Sequence, residues 1–171
     1  MAHKNLVLVL VDMRSTYNVG SCLRTCDGFG ASACFVGITP LPAHKGDTRL
    51  PHLARKNHEA IAKTALGAEE TVYFEQYKSL NACVQKLREE GFYIVALEQS
   101  KDSQPIQKLQ KMTKIAIVVG REVEGLTDTE LSCCDRIYEI PMVGEKESFN
   151  VAIAAGIALY QAAFAKRKSL W

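Results

Sequence analysis

The sequence has no hydrophobic run long enough to cross a bilayer, which takes ~20 apolar residues. Its two longest apolar stretches, Leu6–Val11 and Val151–Ala165, both fall short. The first follows Met1-Ala2-His3-Lys4-Asn5 and leads to no small-residue cleavage site, so it does not read as a secretory leader. The second contains Gln161 and is rich in alanine, and reads as a buried helix. A soluble, cytoplasmic protein with no membrane partner is expected. None of the six cysteines, Cys22, Cys26, Cys34, Cys83, Cys133 and Cys134, forms a C-x-x-C pair. Adjacent Cys133-Cys134 is a poor start for a zinc site, so no metal is expected and the thiols read as free in a reducing compartment. No charge of one sign dominates: the formal net charge is +2, so any nucleic-acid footprint must come from local clustering. No G-x-G-x-x-G occurs, which removes the dinucleotide fingerprint. No linker, repeat or low-complexity segment interrupts the chain. The reading is one domain, 1–171, with no appended RNA-binding domain.

What is present is an ordinary globular balance, 47% apolar and 23% charged over 171 residues, enough for a core without disulfides. Short apolar runs alternate with helical patterns. Strands are expected at Leu6–Val11, Ala33–Ile38, Thr71–Phe74, Tyr93–Leu97, Ile115–Val119 and Arg136–Ile140. The clearest are apolar throughout rather than alternating, as strands covered on both faces are. Helices are expected at about Asn18–Phe29, Arg55–Leu66, Tyr77–Glu90, Thr127–Cys133 and Ser148–Lys166. The result is an α/β fold: a mostly parallel sheet flanked by helices. In the first helix Val19, Cys22, Leu23, Cys26 and Phe29 form a core stripe, and Arg24 points away from it, to the side shared with Gly20, Ser21 and Gly28. Thr127-x-x-Glu130 is a capping box.

The longest irregular stretch, Thr39 to Asn57, carries Lys45, Arg49, Arg55 and Lys56. It reads either as a solvated loop or as a contact to an RNA backbone. The tail Lys166-Arg167-Lys168 has the same two readings.

Three segments carry the chemistry. Asn18-x-Gly20-x-x-x-Arg24 follows the first strand: Asn18 suits a helix N-cap, and Arg24 offers five fixed donors for a phosphate. Val118-Val-Gly120-Arg-Glu122-Val-Glu124-Gly125-Leu126 ends a buried strand in a glycine turn, where open α/β sheets bind ligands. Ile140-Pro-Met142-Val-Gly144-Glu-Lys-Glu-Ser148-Phe-Asn150-Val-Ala leads into the alanine-rich helix, with Ser148 or a neighbour as its cap. Singly, each segment has a structural reading as a cap or a turn.

Together, in this order and from Leu6 to Tyr160, they resemble the signature motifs of the SpoU (TrmH-like) family of SPOUT RNA 2′-O-ribose methyltransferases. One departure is Phe149, where the family usually has leucine. The resemblance implies a C-terminal deep trefoil knot, which composition and periodicity do not reveal, and a homodimer through the knot region with the active site completed across the interface. It implies S-adenosyl-L-methionine as cofactor, bound by loops bearing Leu97, Glu98, Gly120, Ile140, Met142, Ser148 and Phe149. It implies methyl transfer to a ribose 2′-OH of structured RNA, with tRNA expected ahead of rRNA, and catalytic positions at Arg24, Glu122, Ser148, Asn150 and Asn18. RNA contacts are expected from Arg24, Lys45, Arg49, Arg55 and Lys56. A knotted RNA-binding protein without activity, and a base-methylating enzyme of the same fold, are the rival readings.

Overall fold

The computed structural model describes residues 3–165. Seven strands form one sheet: β1 (Leu6–Val11), β2 (Ser32–Val36), β3 (Phe74–Tyr77), β4 (Tyr93–Leu97), β5 (Gln104–Pro105), β6 (Ile115–Val119) and β7 (Arg136–Glu139). Their order is β3-β2-β1-β6-β4-β7-β5, and every pairing is parallel. Six helices connect and cover them: α1 (Thr16–Phe29), α2 (Pro51–Ala65), α3 (Ala68–Thr71), α4 (Leu80–Glu89), α5 (Asp128–Ser132) and α6 (Val151–Phe164). No helix among the described residues is long and apolar enough to cross a membrane.

The continuous apolar runs are explained by burial on both faces. In β1, Leu6, Leu8 and Leu10 point into a cluster with α1, α2, α3 and α6, while Val7, Val9 and Val11 point into a second cluster with α4. Each fully buried side chain of this kind contributes about 1.5–3 kcal/mol. The stripe expected on α1 is buried at Val19, Cys22, Leu23 and Cys26, with Phe29 at its edge. The alanines of α6 let that helix lie close on the same cluster through Ala152, Ala155, Ala158, Leu159 and Ala162. All six cysteines are free, and burial pushes the Cys22 thiol up to about 12, with a further push from nearby Glu122.

Several boundaries differ from the sequence reading. The strand expected at Thr71–Phe74 lies three residues later: α3 ends at Thr71, and β3 runs from Phe74 to Tyr77, where the third helix was expected to begin. That helix begins only at Leu80, where Ser79 caps it through Ala82 N–H. The irregular stretch is shorter than expected because α2 starts at Pro51, whose fixed φ and missing N–H suit the first helical position. Gly20 does not share the exposed side with Arg24. It is buried where α1 crosses α2, and a Cβ there would lie 2.2 Å from Thr64 Oγ1 and 2.3 Å from the Ile61 carbonyl oxygen.

The Ile61 carbonyl is fixed within α2, so the crossing cannot open cheaply. Gly20→Ala is expected to lower unfolding free energy by about 1–3 kcal/mol, as read from a urea titration.

Candidate active site

The carboxyl ends of β4, β6 and β7 open onto a cavity of about 300 Å³. Its lining includes Leu97, Glu98, Gly120, Ile140, Met142, Ser148 and Phe149, the residues the family resemblance assigned to the cofactor. A glycine is required at two corners of its wall. A Cβ on Gly120 would lie 2.4 Å from the Gly125 carbonyl carbon, so only glycine lets the turn after β6 fold back on the strand end. Gly125 itself has φ +65°, and a Cβ there would meet Glu98 Oε2 at 2.3 Å. Two backbone bonds close this turn, Arg121 N–H to Gly125 O (3.3 Å) and Gly125 N–H to Arg121 O (3.2 Å).

Glu98 borders the cavity, but its carboxylate is committed to backbone. One oxygen accepts from Leu126 N–H (2.9 Å) and the other from Gln99 N–H (3.0 Å). Its side chain therefore holds the glycine turn. Gln99, unremarked in the sequence, donates from Nε2 to the Glu147 carbonyl (2.6 Å) and ties the β4 loop to the 140–150 segment.

The three motifs meet at one carboxylate. Glu122 accepts from Ser15 N–H (2.9 Å), Arg14 N–H (3.1 Å) and Asn18 Nδ2 (3.1 Å). Asn18 Oδ1 accepts in turn from Asn150 Nδ2 (3.1 Å), and Asn150 Oδ1 accepts from Ala152 N–H (3.0 Å). Partial burial pushes the Glu122 carboxyl up, but the hydrogen bonds from Ser15, Arg14 and Asn18 outweigh it and hold the group below the usual carboxylate range. Glu122 is thus an anion already accepting from three donors, which suits positioning better than proton abstraction.

One cap assignment changes with this geometry, and the α6 cap left open between Ser148 and a neighbour is identified. Ser15, not Asn18, caps α1: its hydroxyl accepts from Asn18 N–H (3.3 Å), which leaves the Asn18 side chain to bridge Glu122 and Asn150. Asn150, the neighbour of Ser148, caps α6, and Ser148 lies in the cavity wall instead.

Arg24 does not line the cavity. It is exposed on α1, two turns from Asn18, without a hydrogen bond or ion pair to the described residues. Of the other cations expected at RNA, Lys45 and Lys56 are exposed. Arg55 is exposed but pairs with Glu59 one helical turn on (2.7 Å). Arg49 is a correction. Its guanidinium is spent on Asp47 and on the carbonyls of Leu41 and Pro42 (2.9 Å each), so it staples the loop before α2 and has no fork left for a phosphate. The basic tail Lys166-Arg167-Lys168 lies outside the described residues. Among those residues no group of three or more His, Cys, Asp or Glu is arranged to hold a metal ion.

Sequence reasoning missed Arg121 and Asp12, and read Glu130 only as half of the α5 capping box. Arg121 sits between motif residues Gly120 and Glu122 and pairs with both carboxylates. A charged residue at the end of a buried strand was the available signal.

Residues 5–160 match the model of the SpoU rRNA Methylase family, and the chain belongs to that family. It is similar to the 23S rRNA (guanosine-2′-O-)-methyltransferase RlmB of Ralstonia nicotianae, 31% identical over 92% of this chain and 57% of that protein. The RlmB of Coxiella burnetii is 32% identical over 91% of the chain and 57% of its own length. The chain thus spans little more than half the length of these relatives. Among solved structures, the A. aeolicus TrmH/SpoU tRNA modifying enzyme superposes with a TM-score of 0.75 at 24% identity, covering 94% of this chain and 74% of that one. AviRb from Streptomyces viridochromogenes in complex with AdoMet gives 0.75 at 22% identity, covering 95% and 58%. At these identities the structures establish the shared fold.

Because the Glu122 carboxyl is held low when folded, its bonds stabilise the protein above the usual carboxylate range and are lost as pH falls through the folded value. Glu122→Gln is expected to cost about 1–3 kcal/mol at pH 7, with a difference from wild type that shrinks in acid. Urea unfolding at pH 7 and at pH 4 measures both.

Proposed function

We propose that this chain transfers a methyl group from S-adenosylmethionine to a ribose 2′-hydroxyl of ribosomal RNA. The observation that carries the reading is the chain of bonds Glu122–Asn18–Asn150, which joins all three family motifs beside the cavity. The expectation of tRNA ahead of rRNA finds no support among the curated relatives above, whose named substrate is 23S rRNA. Ribosomal RNA is therefore the first substrate to test. These relatives are bacterial proteins, and the proposal carries with it a cytoplasmic location, where bacterial rRNA lies.

The cavity residues fit the cofactor. Its volume is at the low end of small-molecule sites, and Leu97, Ile140, Met142 and Phe149 offer apolar surface for a purine while the backbone near Gly120 offers hydrogen bonds. The cofactor supplies an activated methyl group; the protein supplies orientation. An arginine guanidinium keeps its proton in proteins, so Arg24 acts as a clamp on RNA phosphate, not as a base. With Glu122 committed to three donors, the 2′-OH proton leaves through phosphate or water. Ser148, in the cavity wall, and Asn150, at the start of α6, line the path between cofactor and ribose.

Arg24 lies outside the cavity of its own subunit, so the reading includes a homodimer in which Arg24 of the partner subunit completes the site. The face that supports this is the outer side of α6. Ile153 (56% exposed), Tyr160 (58%) and Phe164 (66%) form an apolar stripe at helical spacing, unusual for a surface that stays in water. The passage from β7 through 140–150 into α6 is the segment that would form the trefoil knot. That segment is tied to Gln99 through the Glu147 carbonyl and to Asn18 through Asn150.

Incubation with labelled S-adenosylmethionine and either bulk rRNA or bulk tRNA tests the proposal. Label in rRNA, resistant to base removal and located on ribose, is expected. Arg24→Ala should reduce it by about 10²-fold or more. Label on a base, or no label on either RNA with cofactor bound, would contradict it.

A further inference from the structure

We infer that Arg121 is a positioning residue for the methyl transfer: it locks the turn after β6 onto the β1–α1 connection, so that Glu122 meets the start of α1 in register. The inference rests on the proposed reaction only for its kinetic arm.

Neighbouring residues of the turn grip the same short segment with opposite charges. Glu122 takes the amides of Arg14 and Ser15, and Arg121 takes the side chain of Asp12, at the head of that segment. The Arg121 side chain is only 18% exposed, with its guanidinium between two carboxylates. Nη1 donates to Glu130 Oε2 (2.9 Å) and to the Gly125 carbonyl (3.2 Å); Nη2 donates to Glu130 Oε1 (3.0 Å) and to Asp12 Oδ2. One rigid fork thus spans the β1 end, the glycine turn and α5. Glu130 is held in place by the α5 capping box, where it accepts from Thr127 N–H (2.8 Å).

Asp12 is equally committed. Its φ is +48°, a left-handed conformation that a residue with a Cβ adopts only when its surroundings hold it there. Its Oδ1 accepts from Ile38 N–H (3.0 Å), and Gly37 clears the space: a Cβ at Gly37 would lie 2.0 Å from Asp12 Oδ1. Asp12 therefore joins the ends of β1 and β2, and Arg121 joins that pair to the end of β6. The residue that presents Glu122 to α1 is anchored on the strand from which α1 departs.

A lysine here keeps the charge but offers a compact point of contact on a flexible stem, and cannot bridge Asp12, Glu130 and the Gly125 carbonyl together. Arg121→Lys is expected to loosen the turn, lowering Arg14 and Ser15 amide protection in native-state hydrogen exchange by about tenfold or more while Val9 in β1 keeps its protection. With RNA substrate, kcat should fall about tenfold or more. Cofactor Kd, measured separately because Arg121 also borders the cavity, should change less than about threefold. Combined with Glu122→Gln, Arg121→Lys should add little further loss, because it acts through Glu122. Asp12→Asn, which removes the charge but keeps the shape, should reproduce a smaller version of these changes. Unchanged protection at Arg14 and Ser15 would overturn the inference, as would kinetic losses that multiply with Glu122→Gln. If wild type transfers no methyl group to RNA, the proposed function fails, and the exchange measurement alone decides for or against the Arg121 role.

Discussion

The Glu122 carboxylate is the point on which the site depends. It satisfies two backbone amides exposed where the chain leaves β1 for α1, and it holds the side chain of Asn18, which holds Asn150. Hydrogen bonds to an ionised acceptor are stronger than neutral ones, about 1.5–3 kcal/mol each against about 1. One anion therefore ties the start of α1 to the turn after β6 and, through Asn18, to the start of α6.

The fold makes this meeting possible before any side chain takes part. A sheet whose pairings are all parallel places the carboxyl ends of β1, β6, β4 and β7 on one edge, so the three motif loops emerge together. Close approach then depends on residues that omit a side chain. Gly120 and Gly125 let the turn collapse on the strand end, Gly37 makes room for Asp12, and Gly20 lets α1 settle on α2. The alanines of α6 serve the same end on the other side of α1.

The sequence made the central strands legible because full burial leaves no choice of residue. Leu6–Val11, Tyr93–Leu97 and Ile115–Val119 are apolar runs of strand length, and each is a strand with those bounds. It misled at the edge. β3 reads Phe-Glu-Gln-Tyr, two polar residues between aromatics, and Glu75 within it accepts from the hydroxyls of Tyr73 and Tyr77, a local network that hydrophobicity does not register. Pro51 signalled the start of α2 but was read as part of a loop. The cavity lining was legible only through family motifs, since no periodicity connects Leu97, Gly120 and Phe149. Charge was the least legible feature. Arg49 and Arg121 look alike in sequence to Lys45 and Lys56, yet tertiary partners commit the first two and leave the others exposed.

The central claim, that the three motifs work as one connected unit, is tested most directly by a double-mutant cycle on stability between Glu122→Gln and Asn150→Ala, run with Asn18 present and with Asn18→Ala. Glu122 and Asn150 touch Asn18 from opposite sides. The account predicts a coupling of about 0.5–3 kcal/mol that disappears when Asn18 is alanine. Additivity within about 0.3–0.5 kcal/mol in both backgrounds would contradict it.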